Sequence, residues 1–129
     1  MKITSDLPDH AVALEVLLDG FVNVAILLIA SGVVPAFPHE TSVVYQPEPA
    51  GQEDWKLPHR VMADGWGDCE DLAIWTVAGL RHSGEDPGAR VVIVRTGTNK
   101  LHAVVEHSDG SLEDPSFDLL PRGIHARVS

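Results

Sequence analysis

The sequence predicts an α+β domain in which helices come first and a small antiparallel meander follows. Three observations carry that prediction. An apolar stretch fills residues 9–34, a capped helical pattern runs over 68–83, and β-branched runs follow at 89–96 and 101–107. At 129 residues the chain has the length of a single domain, 1–129. It divides into an apolar helical segment at 1–34, a proline-rich connection at 35–64 and a core at 65–120.

Residues 1–8 read as a short leader ending at Pro8. Between Phe21 and Val34 only Asn23 and Ser31 are clearly polar. A secretory signal places basic residues ahead of its apolar stretch, whereas here Asp6, Asp9, Glu15 and Asp19 stand against Lys2 alone. No signal peptide is expected. A membrane span needs ~20 mostly apolar residues, and this continuous run is 14 long. The expectation is a helix buried in the core or against a partner, stopped by Gly32 and Pro35. The connection carries Pro35, Pro38, Pro47, Pro49 and Pro58, with one short extended piece at 42–45. A short helix at 57–63 would deliver the chain to Gly65-Trp66-Gly67.

The helix at 68–83 has the clearest local signals. Asp68 is a good N-cap, and Asp71 stands where a capping box places its acid. Leu72, Trp75 and Gly79, with Cys69, Ala73 and Leu80, supply apolar positions at helical spacing. Ser83-Gly84 ends it. The turn Gly97-Thr98-Asn99-Lys100 separates the two β-branched runs, and Ser108-Asp109-Gly110 leads to a third strand at 111–114, stopped by Pro115.

Composition narrows the function classes. Hydrophobic residues at 44% and charged residues at 22% fit a globular chain. Nine Lys and Arg against 19 Asp and Glu leave a net charge of −10, which repels phosphate, so no nucleic-acid partner is expected. Cys69 is the only cysteine. It can form no internal disulfide and no multi-cysteine zinc site, so no cofactor and no metal are expected. Cys69 is either a small core residue or a reactive nucleophile.

Position favours the nucleophile. Cys69 opens a helix directly after a capping residue and two glycines, where free backbone N–H groups and the helix dipole stabilise a thiolate. The same N–H groups could donate to an oxyanion. Asp68, Glu70 and Asp71 work against this unless they cap the helix or face away. A nucleophilic cysteine also needs a base. His10, His39, His59 and His125 lie in segments with no fixed relation to Cys69, and His82 is far along the same helix. His102 and His107 follow in one strand and point to opposite faces. His107 borders the turn and is expected to be solvated, which leaves His102 as the base.

The turn decides the carboxylate that orients His102. A two-residue loop at Asp109-Gly110 would put Glu113 on the face of His102. A three-residue loop with Gly110 left-handed puts Asp114 opposite Val104, diagonal to His102. Glycine at the third loop position favours Asp114, with Glu113 as competitor. The plainer alternative is that Asp114-Pro115-Ser116 merely begins a turn.

The segments Trp55-Lys56-Leu57-Pro58, Gly65-Trp66 followed by GDCEDLA, Leu101-His102-Ala103-Val104-Val105 and Leu112-Glu113-Asp114, with Val22-Asn23 and Tyr45, resemble the transglutaminase-like superfamily. Within it they are most similar to the bacterial transglutaminase-like cysteine proteinases, over residues 20–118. The resemblance implies a papain-like core, with the cysteine helix packed on an antiparallel sheet that carries histidine and acid. It implies Cys69 as nucleophile, His102 as general base and acid, and Asp114 as orienting carboxylate. The ending Leu-Glu-Asp-Pro departs from the family in lacking an Asn, and the proline-rich loop at 35–53 does not follow it. Trp55, Trp66, Gln46 and Gln52 are the candidates for an oxyanion partner.

The function expected on these grounds is a cysteine-dependent amide or peptide hydrolase working through a thioester. The alternatives are a non-catalytic structural or assembly module, for example in a phage particle, and a transamidase. The partners expected are a peptide or protein substrate, basic or neutral given the acidic surface, and a protein partner or a second copy bound through residues 10–34. A membrane partner is not expected, and the location expected is cytoplasmic or virion-associated.

Overall fold

The computed structural model describes residues 7–47, 54–95 and 101–121. The turn at 97–100, most of the leader, Pro49, Gln52 and His125 lie outside the described residues. Helix α1 spans Leu7–Ala30, and a 3₁₀ turn at Pro38–Glu40 leads to strand β1, Val44–Tyr45. Helix α2, Pro58–Asp64, is followed by strand β2, Trp66–Gly67, and helix α3, Cys69–Ser83. Strands β3, Arg90–Arg95, β4, Leu101–Glu106, and β5, Leu112–Glu113, precede the one-turn helix α4, Pro115–Asp118. The fold is mixed helix and sheet, with β3-β4-β5 antiparallel and β1-β2 a separate parallel pair.

Helix α3 is the centre of the molecule. Every residue from Asp71 to Leu80 is buried, between α1 on one side and β3 and β4 on the other. Gly79 permits the close approach of the Pro35–Phe37 segment: a Cβ there would stand 2.1 Å from the Ala36 carbonyl oxygen. Trp75 seals the same contact by donating its Nε1–H to the Pro35 carbonyl at 2.9 Å.

The more apolar α1 is the less covered of the two. It buries one stripe, Leu18, Val22, Ala25 and Ile29, at the spacing of a single helix face. Each of the larger of these side chains contributes about 1.5–3 kcal/mol by leaving water. The opposite face is open: Val16 is 67% and Leu27 65% exposed. The core therefore covers only one side of this helix. It stops at Ala30 rather than near Val34, because Gly32 turns left-handed at φ 75° and the N–H groups of Gly32 and Val33 close back on Ile29 and Leu28.

The β4–β5 turn has the three-residue register. Val105 pairs with Glu113 and Glu106 with Leu112, and Gly110 adopts φ 89°. Continuing that register puts Asp114 opposite Val104.

Candidate active site

The site is built around the N-terminus of α3. The Asp68 side chain accepts from the Asp71 N–H at 3.1 Å, and the Asp71 carboxylate accepts from the Asp68 N–H at 3.1 Å, a complete capping box. The other Asp71 oxygen accepts from the Lys56 backbone N–H at 2.7 Å. Lys56, itself buried, donates its Nζ to Asp64 and to the Trp66 carbonyl, both at 2.9 Å, and lies 3.5 Å above the Trp66 ring. The two residues before the cap are thus fixed from outside the helix. The parallel pairing of Tyr45 with Gly67 fixes them again from β1.

Cys69 follows this cap and faces β4, where the Ala103 backbone N–H favours its thiolate. The neighbouring His102 bonds Asp114 through Nε2 to Oδ2 at 2.8 Å. The structure thus joins two of the residues singled out in the sequence, His102 and Asp114, and places Cys69 at the start of the helix that packs on the same strand. Asp114 divides its oxygens: Oδ2 faces His102, while Oδ1 accepts from the Ser116 N–H at 3.1 Å and from the Ser116 hydroxyl. It therefore begins a turn, as N-cap of α4, and orients the imidazole as well. Burial alone would raise the Asp114 pKa, but the bonds from Ser116 and His102 outweigh it and hold the carboxyl below its ordinary value. It stays ionised.

Glu113 does not compete for His102. It accepts from His107 Nε2 at 2.8 Å, and Asp86 holds His107 Nδ1 at 3.0 Å. The expectation of a solvated His107 is corrected: Asp86, in the loop after α3, folds back over the strand end and encloses the ring between two carboxylates.

The acids around the thiol answer the electrostatic question in two ways. Asp68 and Asp71 are consumed in the cap, and Asp68 is pushed up to about 10 by burial and by the charges of Glu70 and Asp71. Burial thus drives Asp68 toward its neutral form. Glu70 does not face away. The Cys69 thiol donates to its Oε2 at 3.3 Å. Burial, and then the Glu70 charge, push the thiol pKa up, and the Ala103 N–H only partly opposes them. The resting thiol is held as S–H, so the helix N-terminus does not by itself make a thiolate here. Tyr45 lies among the same groups, its hydroxyl pKa raised by burial first and then by the acidic side chains around it.

Of the oxyanion candidates, Trp55 packs edge-on against Phe21 with centroids 5.4 Å apart, and the Trp66 ring supports Lys56. Gln46 stands beside the nucleophile loop, its backbone N–H bonded to the Gly67 carbonyl at 2.9 Å. Sequence reasoning missed Ser116 and Lys56. The signals were there: a serine two residues after an Asp that caps a turn, and a lone lysine inside an apolar segment. Among the described residues no group of three His, Cys, Asp or Glu side chains could hold a metal ion. Compared with protein-family models, curated proteins and solved structures, the chain has no match.

Proposed function

We propose that the protein is a cysteine-dependent amide or peptide hydrolase with a transglutaminase-like, papain-type core. The observation that carries this reading is the His102–Asp114 pair at 2.8 Å, with His102 next to Ala103, whose backbone N–H favours the Cys69 thiolate. A nucleophile, a base and a group that orients the base form the minimum set for acyl transfer. Because the thiol rests protonated, its activation is base-assisted. The His102 nitrogen not bonded to Asp114, Nδ1, takes the S–H proton as sulfur bonds the amide carbonyl carbon. The Asp114 carboxylate stabilises the imidazolium, and backbone N–H groups at the start of α3 donate to the oxyanion. The imidazolium then protonates the leaving nitrogen as the C–N bond breaks, giving a thioester. Water, deprotonated by His102, attacks that thioester, releasing the acid and restoring the thiol.

Alkylation tests the reading. Iodoacetamide should label Cys69 in the folded protein at pH 7, and His102→Ala should slow labelling by roughly a hundredfold, the usual contribution of a general base. A Cys69 that stays unlabelled at pH 8 would sink the proposal. One observation favours a second reading, a non-catalytic module that keeps the fold: the thiol proton is bonded to Glu70. An unreactive thiol would decide for that module.

A further inference from the structure

We propose that the uncovered face of α1 binds a second copy of the same chain, as an antiparallel, two-fold symmetric helix pair. On this face Val12, Val16, Leu17, Val24 and Leu27 are 43–67% exposed. That is roughly 500 Å² of apolar surface from five side chains, near the upper limit of what a monomer leaves uncovered. The face carries no charge. The only ionised residues between Val12 and Ser31 are Glu15 and Asp19, and both turn to the body of the domain. Glu15 accepts from the Ile93 backbone N–H at 2.9 Å, and Asp19 pairs with Arg81 at 2.8 Å.

The pattern of the face identifies the occupant. Its midline runs through Ala13, Leu17, Gly20, Val24, Leu27 and Ser31, all exposed, at alternating steps of four and three. That is the seam of a two-helix coil, and its spacing reads the same in both directions. A two-fold axis at its centre sets Leu17 against Leu27, Val24 into the space left by Gly20, and Ala13 against Ser31. Large meets small at the centre, and the two helix dipoles oppose favourably. A parallel pairing would place Gly20 on Gly20 and leave a void. With the small residues included, the pairing covers on the order of 1,000–1,400 Å² in total, enough for a specific interface. A lipid surface fits less well. The opposite face of α1 is locked into the core by Leu18, Val22, Ala25 and Ile29, so the helix cannot enter a bilayer without dismantling the domain. The net charge of −10 opposes anionic headgroups.

Sedimentation equilibrium of the full chain from 1 to 200 µM tests this. We expect a monomer–dimer equilibrium that tightens as salt rises from 50 to 500 mM, because salt screens two like-charged bodies. Leu27→Glu should raise the dissociation constant by roughly 100-fold while the far-UV spectrum is unchanged. Should that variant unfold, Val24→Gln provides the same test with a smaller shift. The orientation is read by cross-linking in a Cys69→Ser background. A mixture of the L17C and L27C proteins should form disulfide-linked dimers under mild oxidant, and neither alone should. A monomer at 200 µM, a larger aggregate, equal cross-linking of L17C alone, or flotation with phosphatidylcholine vesicles in place of dimerisation would each overturn the proposal.

Discussion

Strands β4 and β5 carry two histidine–carboxylate pairs that share a backbone and differ in what they can do. In each, a histidine in or just after β4 reaches an acid in or just after β5: His102 to Asp114 and His107 to Glu113, both at 2.8 Å. His107 has a second acid on its other nitrogen, Asp86 at 3.0 Å. Among the described residues, His102 has side-chain partners only at Nε2, from Asp114 and more distantly Ser116. A ring bonded by acids at both nitrogens has no nitrogen left to exchange a proton with a third group. A ring with one nitrogen committed is oriented and still able to move a proton. Only the second kind stands next in sequence to Ala103, the residue of β4 that acts on the Cys69 thiol.

The largest effect expected from this contrast is at the acids. Asp114→Ala should cut the pH 7 labelling rate of Cys69 by at least about tenfold, because His102 loses both orientation and charge. Glu113→Ala should leave that rate within about twofold. Iodoacetamide kinetics on the two variants measure this directly, and equal losses would erase the distinction between the pairs.

Next comes Glu70→Gln. It removes the charge that accepts the thiol proton and retains a hydrogen-bonding side chain. Labelling at pH 7 should accelerate by about tenfold, since one pKa unit corresponds to about 1.36 kcal/mol. The pH at which labelling rises should move down. A slower variant would mean that Glu70 activates the thiol.

How much of this contrast the sequence held depends on how local its causes are. The cap at Asp68 and Asp71 was legible because both residues lie in one turn and bond each other's N–H groups. The register was legible because Gly110 alone at that loop position relieves the strain of a left-handed turn. The His107 clamp was not, since Asp86 reaches it from 21 residues away and only the packing of α3 on β4 brings them together. The parallel pairing of Val44 with Trp66 was hidden for the same reason. Helix α1 was read correctly as apolar, but which of its faces would be covered depends on the size of the rest of the domain.

The clamp should show in stability. The His107 pKa is raised, first by its bond to Glu113 and then by Asp86, with Asp109 also in its field. A raised pKa gives stability that is full below 6.5, the ordinary value, and lost as pH rises through the folded value. His107→Ala should cost roughly 1–2 kcal/mol at pH 5.5, the scale of charge-assisted hydrogen bonds partly open to water. The gap from wild type should shrink by pH 9. Thermal unfolding at the two pH values reads it, and a gap that grows with pH would show that the ring is held neutral.

The smallest effect on labelling is expected at Asp68→Asn, and it tests where the negative charge at the Cys69 end resides. Asp68 is raised from 3.8 to about 10, chiefly by burial, so between those values the folded protein holds a proton that the unfolded chain has released. By linkage this favours folding only at low pH and is lost progressively as pH rises across the window. Asparagine is uncharged in both states. Its oxygen can still cap the Asp71 N–H, so the fold should change by less than about 0.5 kcal/mol at about pH 3, below the unfolded value, where neither side chain is charged in either state. At pH 8 the variant should gain on wild type, because the wild type alone binds a proton on folding. Labelling of Cys69 at pH 7 should stay within about twofold, since burial already drives Asp68 toward its neutral form, in contrast to Glu70→Gln. A large acceleration in Asp68→Asn would place the charge on Asp68 and leave Glu70 as a bystander to the thiol.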